Sequence, residues 1–185
     1  MTRTETFSCF IVSCDSSGEA YQAYQAVKDR FFETGNLGLF DAAVFDRRET
    51  GRPGICRAPH RPEREAVAAE EQWGLAPGLV IALSPGAAVG SDLDTAQTRS
   101  LAVLEVFAAY VARGMTRAGL QELGSALDAS EAALAVVSAV GRCEGLEAVM
   151  APYGDVTVRY STFDIDALER DVREAEEPGD VLEAG

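Results

Sequence analysis

Histidine and tryptophan each occur once in this chain of 185 residues, and basic side chains are scarce, 16 against 30 acidic ones. The formal net charge of −14 argues against a nucleic-acid partner, because contacts to phosphate dominate that affinity. It argues equally against adhesion to anionic lipid headgroups. The four cysteines, at 9, 14, 56 and 143, form no C-x-x-C pair and show no repeated spacing, the pattern of reduced cytosolic thiols rather than of a disulfide framework. No G-x-G-x-x-G, P-loop or nucleophile elbow occurs. The opening MTRTETFSCFIVSCD lacks the basic start, long apolar core and cleavage site of a secretory signal.

One long uncharged stretch stands out, WGLAPGLVIALSPGAAVG at 73–90, interrupted by Pro77, Pro85 and four glycines. It must be buried against its own domain, another copy or a membrane. A straight spanning helix needs about 20 apolar residues, and two prolines would disrupt one.

The remaining chain reads as alternating strands and helices. FSCFIVSC (7–14) has strand length. Ser16 and Glu19 form a capping box, and Ala20, Tyr24, Val27 and Phe31 follow on one helical face, with Gly35 as a C-cap. LFDAAVFD (39–46) reads as a second strand, and 54–57 as a short hairpin strand. Pro62 suits the first turn of a helix to Gln72. Asp92 or Asp94 is a candidate N-cap for a helix whose stripe is Leu101, Leu104, Phe107, Ala108, Val111 and Met115, widened by Val103, Val106 and Tyr110. Thr116 restarts a helix carrying Leu120, Leu123 and Leu127. AALAVVSAV (132–140) has buried-strand length, 143–151 is a short helix, 155–162 alternates as a strand with Val156, Val158 and Tyr160 on one face, and 164–176 is a last amphipathic helix. The acidic tail 177–185 closes the chain.

Two β-α-β units, at 7–46 and 132–162, thus bracket a mostly helical insertion at 47–131. The expected fold is α+β: a ferredoxin-like split β-α-β arrangement, a four-stranded sheet with helices on one face and a C-terminal helix, forming one domain over 1–176.

The runs RGMTRAGLQELGSALDASEAALAVV (113–137), DAAVFDRRETG (41–51) and FDIDALERDVREA (163–175) resemble the uncharacterised family catalogued as domain of unknown function 1269, whose actinobacterial members are often described as predicted membrane proteins. The resemblance implies a ferredoxin-like module with no agreed activity, cofactor or catalytic residue. Typical members carry a longer apolar hairpin in the middle. Here Arg99, Glu105 and Arg113 follow the uncharged stretch, and a charge in mid-span is costly in lipid.

Candidate chemistry is thin, and no catalytic, cofactor-binding or metal-ligating residues are assigned. Cys9 and Cys14, five apart on one strand, should point to opposite faces as buried thiols. Cys56 and His60 form a C-x3-H in a Pro- and Arg-rich loop, short of the ligands a metal needs. Glu63, Glu65, Glu70 and Glu71 read as a solvated helix face. Arg47, Arg48, Arg52, Arg57 and Arg61, with Arg64, concentrate positive charge and form a candidate anion or salt-bridge patch. Gly86 and Gly90 are candidates for close backbone approach. Trp73, Leu79, Val80, Ile81, Leu83, Leu104, Phe107 and Val111 are the candidate interface residues.

The expectation is a non-enzymatic, self-associating structural or scaffold protein of the cytoplasm, its apolar insertion making subunit contacts and its open sheet edges able to pair between copies. A module sensing a small anion or metabolite through the arginine-rich loop is the second reading, and a peripheral membrane protein the third.

Overall fold

Strand β1 (Thr4–Cys14) is an interior strand of the sheet, and from Phe7 to Val12 it is buried on both faces. It pairs antiparallel with β5 (Ala132–Ala139) on one side and with β6 (Asp155–Asp164) on the other. Beyond β5 lies β2 (Phe40–Arg47), again antiparallel. The four long strands therefore run β2-β5-β1-β6. Two short strands, β3 (Pro53–Arg57) and β4 (Ala88–Val89), extend the β2 end to give a six-stranded sheet, β3 antiparallel to β2 and β4 parallel to β3. The computed structural model describes residues 3–33, 40–47, 53–57, 74–84, 88–89, 101–140 and 145–176, with the backbone alone at 47, 53–57, 88–89 and 101. The expected helix at 62–72, the C-cap at Gly35, the N-caps at Asp92 and Asp94, and the tail lie outside the described residues.

Helix α1 (Ser17–Glu33) begins at the expected capping box: Glu19 N–H donates to Ser16 Oγ (3.2 Å), and the Glu19 carboxylate accepts from Asp15 N–H (3.1 Å). With the short helix α5 (Leu146–Met150) it covers one face of the sheet, enclosing Phe10, Val12 and Cys14 of β1, Leu134 and Val136 of β5, and Phe40 and Val44 of β2. Period-two alternation sends Phe7, Cys9 and Ile11 to the opposite face, which carries a second core. Helices α2 (Leu75–Leu83), α3 (Leu101–Arg113), α4 (Arg117–Asp128) and α6 (Ile165–Glu176) cover it. The expectation of helices on one face is thus corrected. A strand apolar on both sides needs cover on both sides, and the insertion together with the C-terminal helix α6 supplies the second layer.

Residues 74–84 of the uncharged stretch fold as part of that layer, and 88–89 join the sheet as β4. Pro77 falls in the first turn of α2, where a helix has no use for its missing N–H. Gly78 N–H makes the first i to i−4 bond, to Gly74 O (2.9 Å). Thr116 caps α4 as expected, accepting from Gly119 N–H at 3.0 Å. No helix among the described residues is long and apolar enough to cross a membrane.

Candidate functional site

The structure brings most of the candidate interface residues together, but inside the subunit. Leu79, Val80, Phe107 and Val111 are fully buried and Leu104 nearly so; Ile81 and Leu83 are half-buried, packed against the same core. Trp73 lies outside the described residues. Leu79, Val80, Leu104, Phe107 and Val111 are therefore not available for subunit contacts, a correction with a simple cause. Burying each large apolar side chain stabilises by roughly 1.5–3 kcal/mol, and the insertion-side face of the sheet, lined by Phe7, Ile11, Phe45 and Val137, offers that burial within one chain. Close backbone approach does occur at Gly78. A Cβ there would stand 2.7 Å from Phe107 Cβ, so α2 and α3 meet nearly backbone to backbone. Gly86 and Gly90 lie outside the described residues. So do Arg48, Arg52, Arg61, Cys56's side chain and His60, and of Arg47 and Arg57 only the backbone is described, in the β2–β3 pairing.

Asp41 is a buried structural residue that the local sequence pattern does not single out. It is a carboxylate 2% exposed in the middle of the sheet, and its Oδ2 accepts from Gly74 N–H (2.9 Å) and Ala76 N–H (2.8 Å). The N-cap of α2 is Gly74, which has no side chain to cap with, and the first turn of α2 has no acid of its own. Asp41 thus supplies from β2 both the capping acceptor and the negative charge that a helix N-terminus favours. The signal was legible in principle: within FDAAVFDR, Asp41 shares the parity of Ala43 and Phe45, which face the insertion core.

Other polar groups are equally committed to structure. Tyr110 OH donates to the Asp171 carboxylate, clasping α3 to α6, while the Arg113 guanidinium lies 5.0 Å over the Tyr110 ring. Burial first, and then the Asp171 hydrogen bond, push the Tyr110 phenol up to about 12. Cys9 and Cys14 sit in opposite cores as free thiols, as expected. Burial pushes Cys9 up to about 12, and burial followed by Glu19 and Asp15 pushes Cys14 up to about 11. Neither is a thiolate near neutrality, so neither is poised as a nucleophile. Among the described residues no cluster of three or more His, Cys, Asp and Glu side chains could hold a metal ion.

What remains open is an edge. Strand β6 ends the sheet, and among the described residues it pairs with β1 alone. Thr6 O accepts from Val140 N–H, so Thr6 turns its backbone groups toward β5. Its β6 partner Thr162 must then face outward, and Thr162 N–H indeed donates to Gly114 O at 3.0 Å. By parity the N–H and C=O groups of Val156, Val158 and Tyr160 also face outward. Val156 and Val158 are half-buried and Tyr160 is 58% exposed. The Arg159 guanidinium folds back to donate to Val158 O and pairs with Glu122 of α4. Gly114 and Arg159 thus blunt the edge at two points, a common protection for an edge strand. Comparison of the chain with protein-family models, curated proteins and solved structures finds no match.

Proposed function

We propose that this chain is a non-enzymatic, self-associating structural module of the cytoplasm, and that copies meet along the outer edge of β6. The observation that carries the reading is that edge: a ten-residue strand with no second strand beside it among the described residues, its outward backbone at 156, 158 and 160 met only by the Arg159 side chain and flanked by half-exposed valines. Unpaired strand backbone is a ready template for another strand.

Several features support the remaining parts of the proposal. The strand order β2-β5-β1-β6, every neighbouring pair antiparallel, supports a ferredoxin-like split β-α-β body in which α1 and α5 make the two crossovers and the insertion forms an added layer. The resemblance to domain of unknown function 1269 fits such a body and stays part of the proposal. Commitment of Asp41, Tyr110 and the two thiols to structural contacts supports a non-catalytic role, and buried reduced thiols accord with the cytoplasm.

The test is size-exclusion chromatography with light scattering on detergent-free protein, from about 1 to several hundred micromolar, the range in which small interfaces associate. Mass rising with concentration toward a dimer or larger assembly supports the proposal. A constant monomer mass across the range overturns it.

A further inference from the structure

We infer that two copies pair antiparallel through β6 about a two-fold axis at Thr157, so that Asp155 of each faces Arg159 of the other. The inference rests on the self-association reading and supplies its register.

Three constraints select that register. The first is parity. In antiparallel pairing, directly opposed residues lie on the same face of the sheet, so a two-fold axis must pass through a residue rather than between two. The second is the stop at Thr162. Its outward N–H is already taken by Gly114 O, and a Cβ built on Gly114 would stand 2.5 Å from Thr162 O, so chain already occupies that part of the edge. A partner strand fits only along 155–160. The third is charge. Asp155 and Arg159 are the charged residues of that free segment, and both face the insertion side, being paired with Ser13 and Cys9 of β1. An axis at Arg159 would oppose the two guanidiniums, and one at Tyr160 would run into the closed end. An axis at Val158 would oppose Thr157 to Arg159 and leave Asp155 facing Ser161. An axis at Thr157 pairs Asp155 with Arg159 twice and Val156 with Val158 twice.

The backbone then closes consistently. Val156 and Val158 carry the outward N–H and C=O groups, so each Val156–Val158 pair exchanges two hydrogen bonds, and Thr157 meets its copy as a non-hydrogen-bonded pair. On the α1 side the four valines form one continuous apolar strip across the seam. On the insertion side, α4 lies over β1 and β6, with Ser13 Oγ donating to Ala126 O and Arg159 paired to Glu122. With strands about 4.8 Å apart, α4 and its copy come to about 10 Å, an ordinary helix-packing distance. Arg159 is the moving part. Alone it covers the Val158 carbonyl; in the pair it releases that carbonyl to the partner's Val156 N–H and reaches the partner's Asp155 while keeping Glu122.

The experiment uses the full chain and two charge reversals. Asp155→Arg places arginine at both positions, so its homodimer would oppose like charges twice; Arg159→Asp does the same with aspartates. Each alone should associate at least about tenfold more weakly than the unaltered protein, whereas an equimolar mixture should recover a dimer, because both cross-pairs become attractive. Thr157→Cys should form a disulfide-linked dimer under mild oxidation, as a non-hydrogen-bonded antiparallel pair brings its Cα atoms within disulfide reach, and Val158→Cys should not. If the unaltered protein associates but both reversals do so equally well, or Val158→Cys cross-links in place of Thr157→Cys, the register is wrong and the self-association reading stands. If the unaltered protein stays monomeric across the concentration range, both fall, whatever Thr157→Cys does. Should Arg159→Asp fail to fold by circular dichroism, the two cysteine variants decide alone.

Discussion

Replacing Asp41 tests how the insertion is held to the sheet. In Asp41→Ala, Gly74 N–H and Ala76 N–H lose an acceptor, and both residues are buried, where water cannot substitute. Each hydrogen bond to a charged group contributes about 1.5–3 kcal/mol, and losing the helix cap costs about 1 kcal/mol; these overlap, since they describe the same contacts. Against them stands the relief of no longer burying a carboxylate. The expected net loss is about 2–4 kcal/mol. Asp41→Asn keeps an oxygen acceptor but removes the charge that faces the helix N-terminus, an effect of about 0.5–2 kcal/mol. Urea unfolding reads both. With an m-value of about 2 kcal/mol/M, Asp41→Ala should lower the midpoint by about 1–2 M, and Asp41→Asn by less than half that. Hydrogen exchange supplies the local signature: the Gly78 amide, bonded to Gly74 O, should lose protection before the amides of α4. If Asp41→Ala unfolds within about 0.5 kcal/mol of the unaltered protein, the scale of a neutral surface change, Asp41 does not hold α2 in place.

Gly78→Ala puts a methyl 2.7 Å from Phe107 Cβ and 3.0 Å from Ala108 N, so despite alanine's better helix propensity it should lower Tm by roughly 3–10 °C, the overpacking cost of about 1–3 kcal/mol; an unchanged Tm in differential scanning calorimetry would show that α2 and α3 can part freely. The raised pKa values of Cys9 and Cys14 carry a pH sign. Between the ordinary thiol value of 9.0 and the folded values of about 12 and about 11, the unfolded chain loses protons that the folded one keeps, so stability should be full below about pH 9 and fall as pH rises through that window. Urea midpoints taken from pH 7.5 to 10.5 check this, and a midpoint that rises with pH contradicts it. Tyr110→Phe removes the α3–α6 clasp to Asp171 and should cost about 1 kcal/mol, read from urea curves; a stabilised variant would show that the clasp is not a net contact.

The strands and most helices were legible because each announces its period. Alternation in β6, the 3–4 spacing in α3 and the capping signals before α1 and α4 are local and need no tertiary knowledge. The burial of β1 and β5 on both faces was also written in the runs FSCFIVSC and AALAVVSAV, which have apolar residues at both parities. A sheet with such central strands requires two helical layers, and the uncharged insertion then becomes the second layer rather than an exposed patch. Assigning the apolar insertion to subunit contacts missed this, because composition counts apolar residues without saying which face needs them. The capping role of Asp41, as distinct from its core-facing parity, was hidden for a different reason. A carboxylate in a strand normally signals a solvent-facing position, and its capping partners stand 33 and 35 residues away, beyond the reach of any local pattern. The arginine-rich segment keeps the status of an expectation, since its side chains lie outside the described residues.

Moving self-association from an apolar patch to a strand edge changes the strength to expect. The pairing about Thr157 forms four backbone hydrogen bonds, each contributing about 0.5–1.5 kcal/mol net, and partly exposed ion pairs add at most about 1 kcal/mol apiece. Apolar gain is confined to the valine strip. Association costs at least about 4 kcal/mol in lost rotation and translation, so the pair should dissociate in the micromolar range or above. The net charge of −14 on each copy weakens it further at low ionic strength. That repulsion acts over tens of ångströms and is screened within about 8 Å at physiological salt, whereas the Asp155–Arg159 pairs act at contact and lose less. Added salt up to that level should therefore strengthen association, the reverse of what an interface held mainly by complementary charge would show. An edge-paired dimer of this kind is reversible and concentration-dependent, and Gly114, bonded to Thr162, keeps the end of the β6 edge closed. The same features that make the edge a poor template for uncontrolled aggregation confine pairing to the one short segment, 155–160, where the register is self-complementary.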